Sequence, residues 1–400
     1  MVTITTPGPY EVRGEVYDNQ SHYPAIGANS TLGTGWTAYN FAGFWYDLKE
    51  GLQSETLNIN ATNTTAILVN GNRNITKQTV YYNTTRRFVR YKVNDANQTN
   101  NFVEKGLDSS GTKQTSGVAG THYAKLGWFA EPYVAVNGKA NKLAKLIIEQ
   151  GSSSSDKKSL TVGETWDIGD GWTLTAQSID AKATPRQAWL VLSKDGVKKD
   201  DKVIAQGQVY TYIEKSIAGE SDVPLFVTYV DSVFAGATSD MVQLRYTWAV
   251  STSITEVKSA DKYGILKVTD DGSSTGTIVL WNEDNSISLS TDATIDIGGN
   301  MKFRVADNSS YLRFYPKVDY QIGVGTTTGT PTPTGTGNVS KPGNVTAGNQ
   351  TVTATGTAVT TVTQTATPAP TATAKEPGFE AGLAIAGLLA VAFLVLRQRK

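Results

Sequence analysis

Alternation of apolar and polar residues at a period of two constrains this chain more than any other feature. It runs through Val242, Leu244, Tyr246, Trp248 and Val250, through Val223, Leu225, Val227 and Tyr229, and through Met301, Phe303 and Val305. Successive side chains of a strand point to opposite faces, so each run reads as a strand with one face buried. Turn-forming clusters punctuate them: Lys194-Asp195-Gly196, Asp270-Asp271-Gly272, Asn282-Glu283-Asp284-Asn285 and Gly298-Gly299-Asn300. Short strands rich in Tyr, Trp, Val and Thr, with turns of this kind, predict an all-β body built from sandwiches. Residues 139–150 offer the one helical reading, through Leu143, Leu146, Ile147 and Ile148, but the spacing fits a helix only in part and a strand is preferred.

A repeat divides the body. Ser159-Leu160, Thr165-Trp166-Asp167-Ile168-Gly169-Asp170-Gly171-Trp172 and Leu174 align without a gap on Ser288-Leu289, Thr294-Ile295-Asp296-Ile297-Gly298-Gly299-Asn300-Met301 and Phe303. Both copies read as strand, turn, strand. Two similar hairpins arise by chance as well; taken as a true repeat, they imply two related β-sandwich modules. The expected organisation is a body over residues 1–320, with modules at about 10–155 and 156–320 and strands free to cross between them. A disordered stalk over 321–375 and a C-terminal segment over 376–400 follow.

The stalk rests on composition. Residues 323–374 contain nineteen threonines, Pro331, Pro333, Pro342, Pro368 and Pro370, and a single charge, Lys341. Such a stretch buries no core and favours extended backbone, as O-glycosylated spacers outside cells do. After Pro377-Gly378-Phe379-Glu380 comes an uncharged apolar run that opens at Ala381 and closes at Leu396, then Arg397-Gln398-Arg399-Lys400. The run is apolar all round, which predicts one hydrophobic helix held at a membrane with its basic end in the cytoplasm. Its sixteen residues span about 24 Å, short of the roughly 30 Å hydrocarbon core. The first nine residues, through Pro9, form no apolar leader. An exported chain needs one, so the leader is expected to have been cleaved from this sequence, or the sequence to be a fragment or to begin at a miscalled start.

Charge and cysteine content narrow the function. There is no cysteine, so neither disulfides nor thiol chemistry are available. Up to position 320 the chain has 31 basic and 34 acidic residues and no basic block, which argues against a nucleic-acid partner. The search for catalytic patterns returns little. His22 and His122 stand in no metal-binding spacing, there is no Gly-x-Ser-x-Gly elbow, and Gly323-x-Gly325 lies in the stalk. Three acidic turns, Asp167 with Asp170, Asp270 with Asp271, and Glu283 with Asp284, are conceivable calcium ligands, but acidic turns are commonly just solvated loops. No catalytic, cofactor or metal residue is assigned. Of Trp36, Trp45, Trp128, Trp166, Trp172, Trp189, Trp248 and Trp281, most lie in alternating runs and are expected in the core; an exposed row of them would favour a carbohydrate-binding adhesin.

Eleven Asn-x-Ser/Thr sequons mark candidate N-glycosylation sites: Asn19, Asn29, Asn60, Asn63, Asn74, Asn83 and Asn97, then Asn308, then Asn338, Asn344 and Asn349 in the stalk. None begins between residues 98 and 307. If they are used, one part of the body is sugar-coated and another is bare for packing against neighbours.

Pro377-Gly378-Phe379, with the apolar run, the basic end and the stalk, resembles the archaeal PGF-type C-terminal sorting signal. That resemblance implies recognition by an archaeosortase, removal of the tail and its replacement by a lipid. Phe41-Ala42-Gly43-Phe44-Trp45-Tyr46-Asp47-Leu48, Leu126-Gly127-Trp128-Phe129-Ala130-Glu131, Trp189-Leu190, Lys194-Asp195-Gly196, Gly298-Gly299-Asn300-Met301-Lys302-Phe303 and Leu312-Arg313-Phe314-Tyr315-Pro316 resemble the S-layer duplication domain of Methanosarcina-type archaea over residues 10 to 320. In that family each domain is a pair of β-sandwiches that tiles into a porous sheet around the cell. The implied function is that of a structural, non-enzymatic cell-surface tile, with copies of itself or related tiles as lateral partners and the membrane as anchor. The alternative is a membrane-anchored adhesin, and a secreted enzyme comes third. The chain departs from the family in carrying one copy where the main tiles carry two, and in a body that is nearly neutral where theirs is acidic.

Overall fold

A computed structural model describes residues 8–19, 34–48, 50–59, 73–96, 103–114, 119–151, 153–236 and 238–322. The described chain is all β, with three short 3-10 turns and no α-helix among the described residues. Residues 139–150 hold the strand Lys142–Glu149. Its interior breaks the period-two pattern because it threads between two cores: Leu143 lies in one and Ala144 in the other.

Each core lies between two antiparallel sheets. In the first sandwich one sheet runs Gly8–Arg13, Arg313–Ile322, Met301–Val305, Thr294–Gly298. It packs against the sheet Lys262–Tyr263, Leu266–Asp270, Thr277–Trp281, Val80–Thr85, Glu55–Ile59, Thr34–Thr37. The buried Trp36 joins the layers, with ring centroids 5.7 Å from Phe303 and 5.9 Å from Phe314. In the second sandwich the sheet Thr165–Gly169, Trp172–Asp180, Gln187–Lys194, Val197–Ala205 covers the sheet that includes Val209–Ile217, Glu220–Phe234 and Met241–Glu256. Trp172 is its pin: fully buried, it donates its indole N–H to the Val250 carbonyl across the layers at 2.9 Å. A buried indole has to find such an acceptor, and here the opposite sheet provides it.

The repeat is structural. In one hairpin Thr165 faces Thr175, Trp166 faces Leu174, Asp167 faces Thr173 and Gly169 faces Trp172, with a bulge between Asp167 and Gly169. In the other, Thr294 faces Arg304, Ile295 faces Phe303, Asp296 faces Lys302 and Gly298 faces Met301, with a bulge between Asp296 and Gly298. Register and bulge are the same. Both hairpins continue into a third strand, through Leu174 opposite Leu192 and Phe303 opposite Pro316. They differ in the fourth strand. In the second sandwich it is the next in the chain, Val197–Ala205; in the first it is Gly8–Arg13, from the other end of the chain.

Candidate functional site

The residues weighed for chemistry do not converge. His122 is half-buried on the strand His122–Trp128, bonded to the Thr121 hydroxyl at 2.7 Å; burial, then the Arg90 charge, holds its imidazole below the ordinary range. His22 lies outside the described residues. The acidic turns are occupied locally. Asp167 accepts from the Gly169 N–H and Asp270 from the Gly272 N–H, while Glu283 and Asp284 pair with Lys267 and Lys262, each at 2.7 Å. Among the described residues no three His, Asp or Glu side chains gather as metal ligands. A small pocket of about 30 Å³ beside His122, walled by Tyr91, Tyr123 and Trp248, has no carboxylate in its lining. An open groove of about 360 Å³ beside Lys199 contains Glu214 and Asp195, the latter already paired with Lys194. Trp36, Trp128, Trp172 and Trp248 are buried, and Trp45, Trp166 and Trp281 are half-buried. Trp189 alone is exposed.

The most unusual chemistry lies where the sandwiches meet. Glu55, fully buried on the strand Glu55–Ile59, accepts the Ala130 N–H and the Tyr82 hydroxyl on Oε1, both at 2.8 Å, and the Trp45 N–H on Oε2 at 3.2 Å. Tyr82 in turn accepts the Phe129 N–H at 3.0 Å. These bonds hold the two-residue loop between His122–Trp128 and Glu131–Ala135, whose Phe129 and Ala130 sit at φ 50° and 67°. Hairpin loops of this shape ordinarily need Asn or Gly. Here both loop N–H groups are answered from the first sandwich, which offsets a left-handed cost of about 1–2 kcal/mol per residue. Gly127 completes the fit, because a Cβ there would collide with the Glu55 carboxylate. Burial pushes the Glu55 carboxyl up to about 7 against the pull of its donors from Ala130, Tyr82 and Trp45. The hairpin also feeds both cores: Tyr123 and Val134 belong to the second, Leu126, Trp128 and Phe129 to the first.

Sequence reading missed Glu55, although a signal was present. Counting by twos from Leu57 and Ile59 puts Glu55 on the core face of its strand, where a carboxylate requires partners.

A second feature is a bare sheet face. On the outer side of Gln187–Lys194 and Val197–Ala205, Trp189 lies opposite Val203 and Val191 opposite Asp201. Trp189 is 37% exposed and Val203 59%, and the indole N–H is anchored on Asp201 at 2.9 Å. The corresponding outer face of the first sandwich is a charge mosaic in which Lys317 bonds Asp319 at 2.9 Å and pairs with Glu11, and Arg304 pairs with Asp292. The hydrophobicity of the Trp189 face is therefore not a requirement of the shared sheet.

Of the sequons, Asn19, Asn74, Asn83 and Asn308 are described. Asn19, Asn74 and Asn308 meet at one end of the first sandwich, and Asn83 lies in mid-sheet. Asn29, Asn60, Asn63, Asn97, Asn338, Asn344 and Asn349 lie outside the described residues, as do Pro377, Gly378, Phe379 and the run from Ala381 to Leu396.

Comparison with known proteins adds two family matches. Residues 26–307 match the model of the S-layer protein family, and residues 376–398 match the PGF-CTERM motif. The Major S-layer protein of Methanosarcina barkeri is 31% identical across 99% of this chain and 54% of its own length. That of Methanosarcina mazei is 32% identical over 80% of this chain and 42% of its own length. That of Methanosarcina acetivorans is 30% identical over 81% and 42%. The chain thus spans about half the length of the curated relatives it matches.

Proposed function

The chain belongs to the S-layer protein family, and from that premise we propose that it is a tile of a porous surface lattice, joined to copies of itself or to related tiles through the second sandwich. The S-layer family is structural, and this member is a cell-surface protein with a PGF-type tail. The observation that carries the lateral contact is the combination of a sequon-free stretch from 98 to 307 with an outer sheet face bearing Trp189 and Val203, both exposed. Glycans block close approach, and an apolar face left open to water favours association. A contact between identical copies needs only one such patch, used twice about a two-fold axis.

In this reading the work is geometric. The sandwiches form a rigid tile through the Glu55 junction, gaps between tiles act as a size filter, and the stalk sets the distance to the membrane. The tail, through recognition of Pro377-Gly378-Phe379 by an archaeosortase, exchanges its apolar run for a lipid. Electron microscopy of isolated cell envelopes tests the tile reading. An ordered array that reacts with an antibody to this chain is expected, and envelopes in which the chain is present without a lattice position overturn it.

A further inference from the structure

We propose that the end of the first sandwich formed by Asn19, Asn74 and Asn308 is a clustered N-glycosylation site, and that Asn83 is left unmodified. The three asparagines are remote in the chain and adjacent in the fold. Asn19 exchanges two hydrogen bonds with Leu312, N–H to carbonyl and backbone N–H to Oδ1, each 3.2 Å. Leu312 closes the loop that Asn308 opens. Arg73, next to Asn74, reaches 235 positions along the chain to donate to the Asn308 carbonyl, and also to that of Tyr311 at 3.3 Å. Its own carbonyl accepts the Leu289 N–H at 2.7 Å, and Asn74 pairs with Ser288.

The local geometry suits transfer at this end and opposes it at Asn83. Asn74 is exposed on a two-residue strand. The Asn308 side-chain oxygen accepts the backbone N–H of Ser310 and of Tyr311, both at 2.9 Å, a turn that brings the sequon's serine beside its asparagine. Asn83 stands on Val80–Thr85 with ladders on both sides, opposite Thr56 and Val279. Its Oδ1 takes the Thr56 hydroxyl, and the sequon's Thr85 hydroxyl is bonded to Thr277 at 2.9 Å. Presenting Asn83 to a transferase would require breaking both ladders.

The modification itself is a simple transfer. Asn Nδ2 forms a bond to the anomeric carbon of a lipid-linked sugar phosphate, the bond from that carbon to the phosphate oxygen breaks, and the amide proton leaves with the lipid phosphate. The cluster lies away from the second sandwich. The opposite ends of the same strands meet the junction, where Asn300 bonds Glu131 at 3.0 Å and the Tyr320 hydroxyl donates to the Ala130 carbonyl at 3.4 Å. Arg313, beside the cluster, and Ile322 are separated by nine residue steps, about 30 Å at the strand rise.

The inference stands apart from the tile reading, since occupancy can be read on detergent-extracted protein whether or not a lattice exists. Glycopeptide mass spectrometry of the full chain from native membranes is the test. Glycan mass on the peptides of Asn19, Asn74 and Asn308, with the Asn83 peptide unmodified, is the expected result. A bare member of the three, or a modified Asn83, overturns it. Asn74→Gln and Asn308→Gln should each lower the intact mass by one glycan while the circular-dichroism spectrum is unchanged, and Asn83→Gln should remove no glycan mass.

Discussion

Fully buried where the two sandwiches meet, Glu55 holds its carboxylate on three uncharged donors, the Ala130 and Trp45 N–H groups and the Tyr82 hydroxyl, so the junction depends closely on this residue. Substituting Gly127→Ala drives a methyl group into that carboxylate, so the expected cost is about 1–3 kcal/mol, the range for overpacking a tight site, read as a lower melting temperature. The pH dependence has a definite sign. The folded carboxyl titrates near 7 against an ordinary value of 4.5, so folding favours its protonated form. The stability this group contributes is complete below about 4.5 and is lost as pH rises through 7, by on the order of 3 kcal/mol. Glu149 contributes with the opposite sign: burial raises its carboxyl, but Lys125 and Lys92 bring it below the ordinary range, so its share is lost on acidification. Glu55→Gln should therefore be less stable than wild type at acidic pH, since its amide nitrogen cannot accept from Trp45, and should lose the fall in melting temperature between pH 5 and 8. A wild-type slope retained in that variant would show that another group titrates there. The sequence placed Glu55 on a core face, but its partners at Ala130 and Trp45 become visible only once the strands are assembled.

At the scale of strands and sheets, alternation was a reliable guide wherever one face is wet. Met301, Phe303 and Val305 are all fully buried, with Lys302 and Arg304 turned outward. Residues 139–150 read ambiguously because both faces of Lys142–Glu149 meet apolar neighbours, so no polar face marks the period. The fourth strand of the first sheet was beyond any local signal, since Gly8–Arg13 pairs with a strand more than 300 residues away. The Trp189 face is likewise a property of paired strands, made by bringing Val203 opposite Trp189. Trp189→Ser with Val203→Ser should shift the unfolding midpoint little, because exposed substitutions usually stay near 0.5 kcal/mol, while removing lateral order from the envelope lattice. Microscopy and thermal melts on the same preparation check the pair of outcomes. An intact lattice would move the contact elsewhere on the body.

For the whole molecule, the tail and the body ask for different measurements. Sixteen apolar residues fall about 6 Å short of an untilted span. A transient signal tolerates such a mismatch better than a permanent anchor does. The mature chain is expected to end near Pro377-Gly378-Phe379 and to carry a lipid. Mass spectrometry of the C-terminal peptide from native membranes decides it, and an unmodified peptide running through Leu396 would rule out processing. Tail and body also differ in how they were read. Motif and composition identify the tail by themselves, whereas the division of labour within the body depends on which strands pair.

The pairing of Gly8–Arg13 with Arg313–Ile322 has a mechanical meaning. The described fold ends at Ile322, on a strand clamped between Gly8–Arg13 on one side and Met301–Val305 on the other. A pull on the chain beyond Ile322, along the strand axis, loads both ladders in shear. Their hydrogen bonds must then yield together, where a hairpin pulled open at its end would release them one at a time. Tension applied beyond Ile322 is thereby shared across the first sandwich before any strand can slide, so a load along this strand meets both ladders at once.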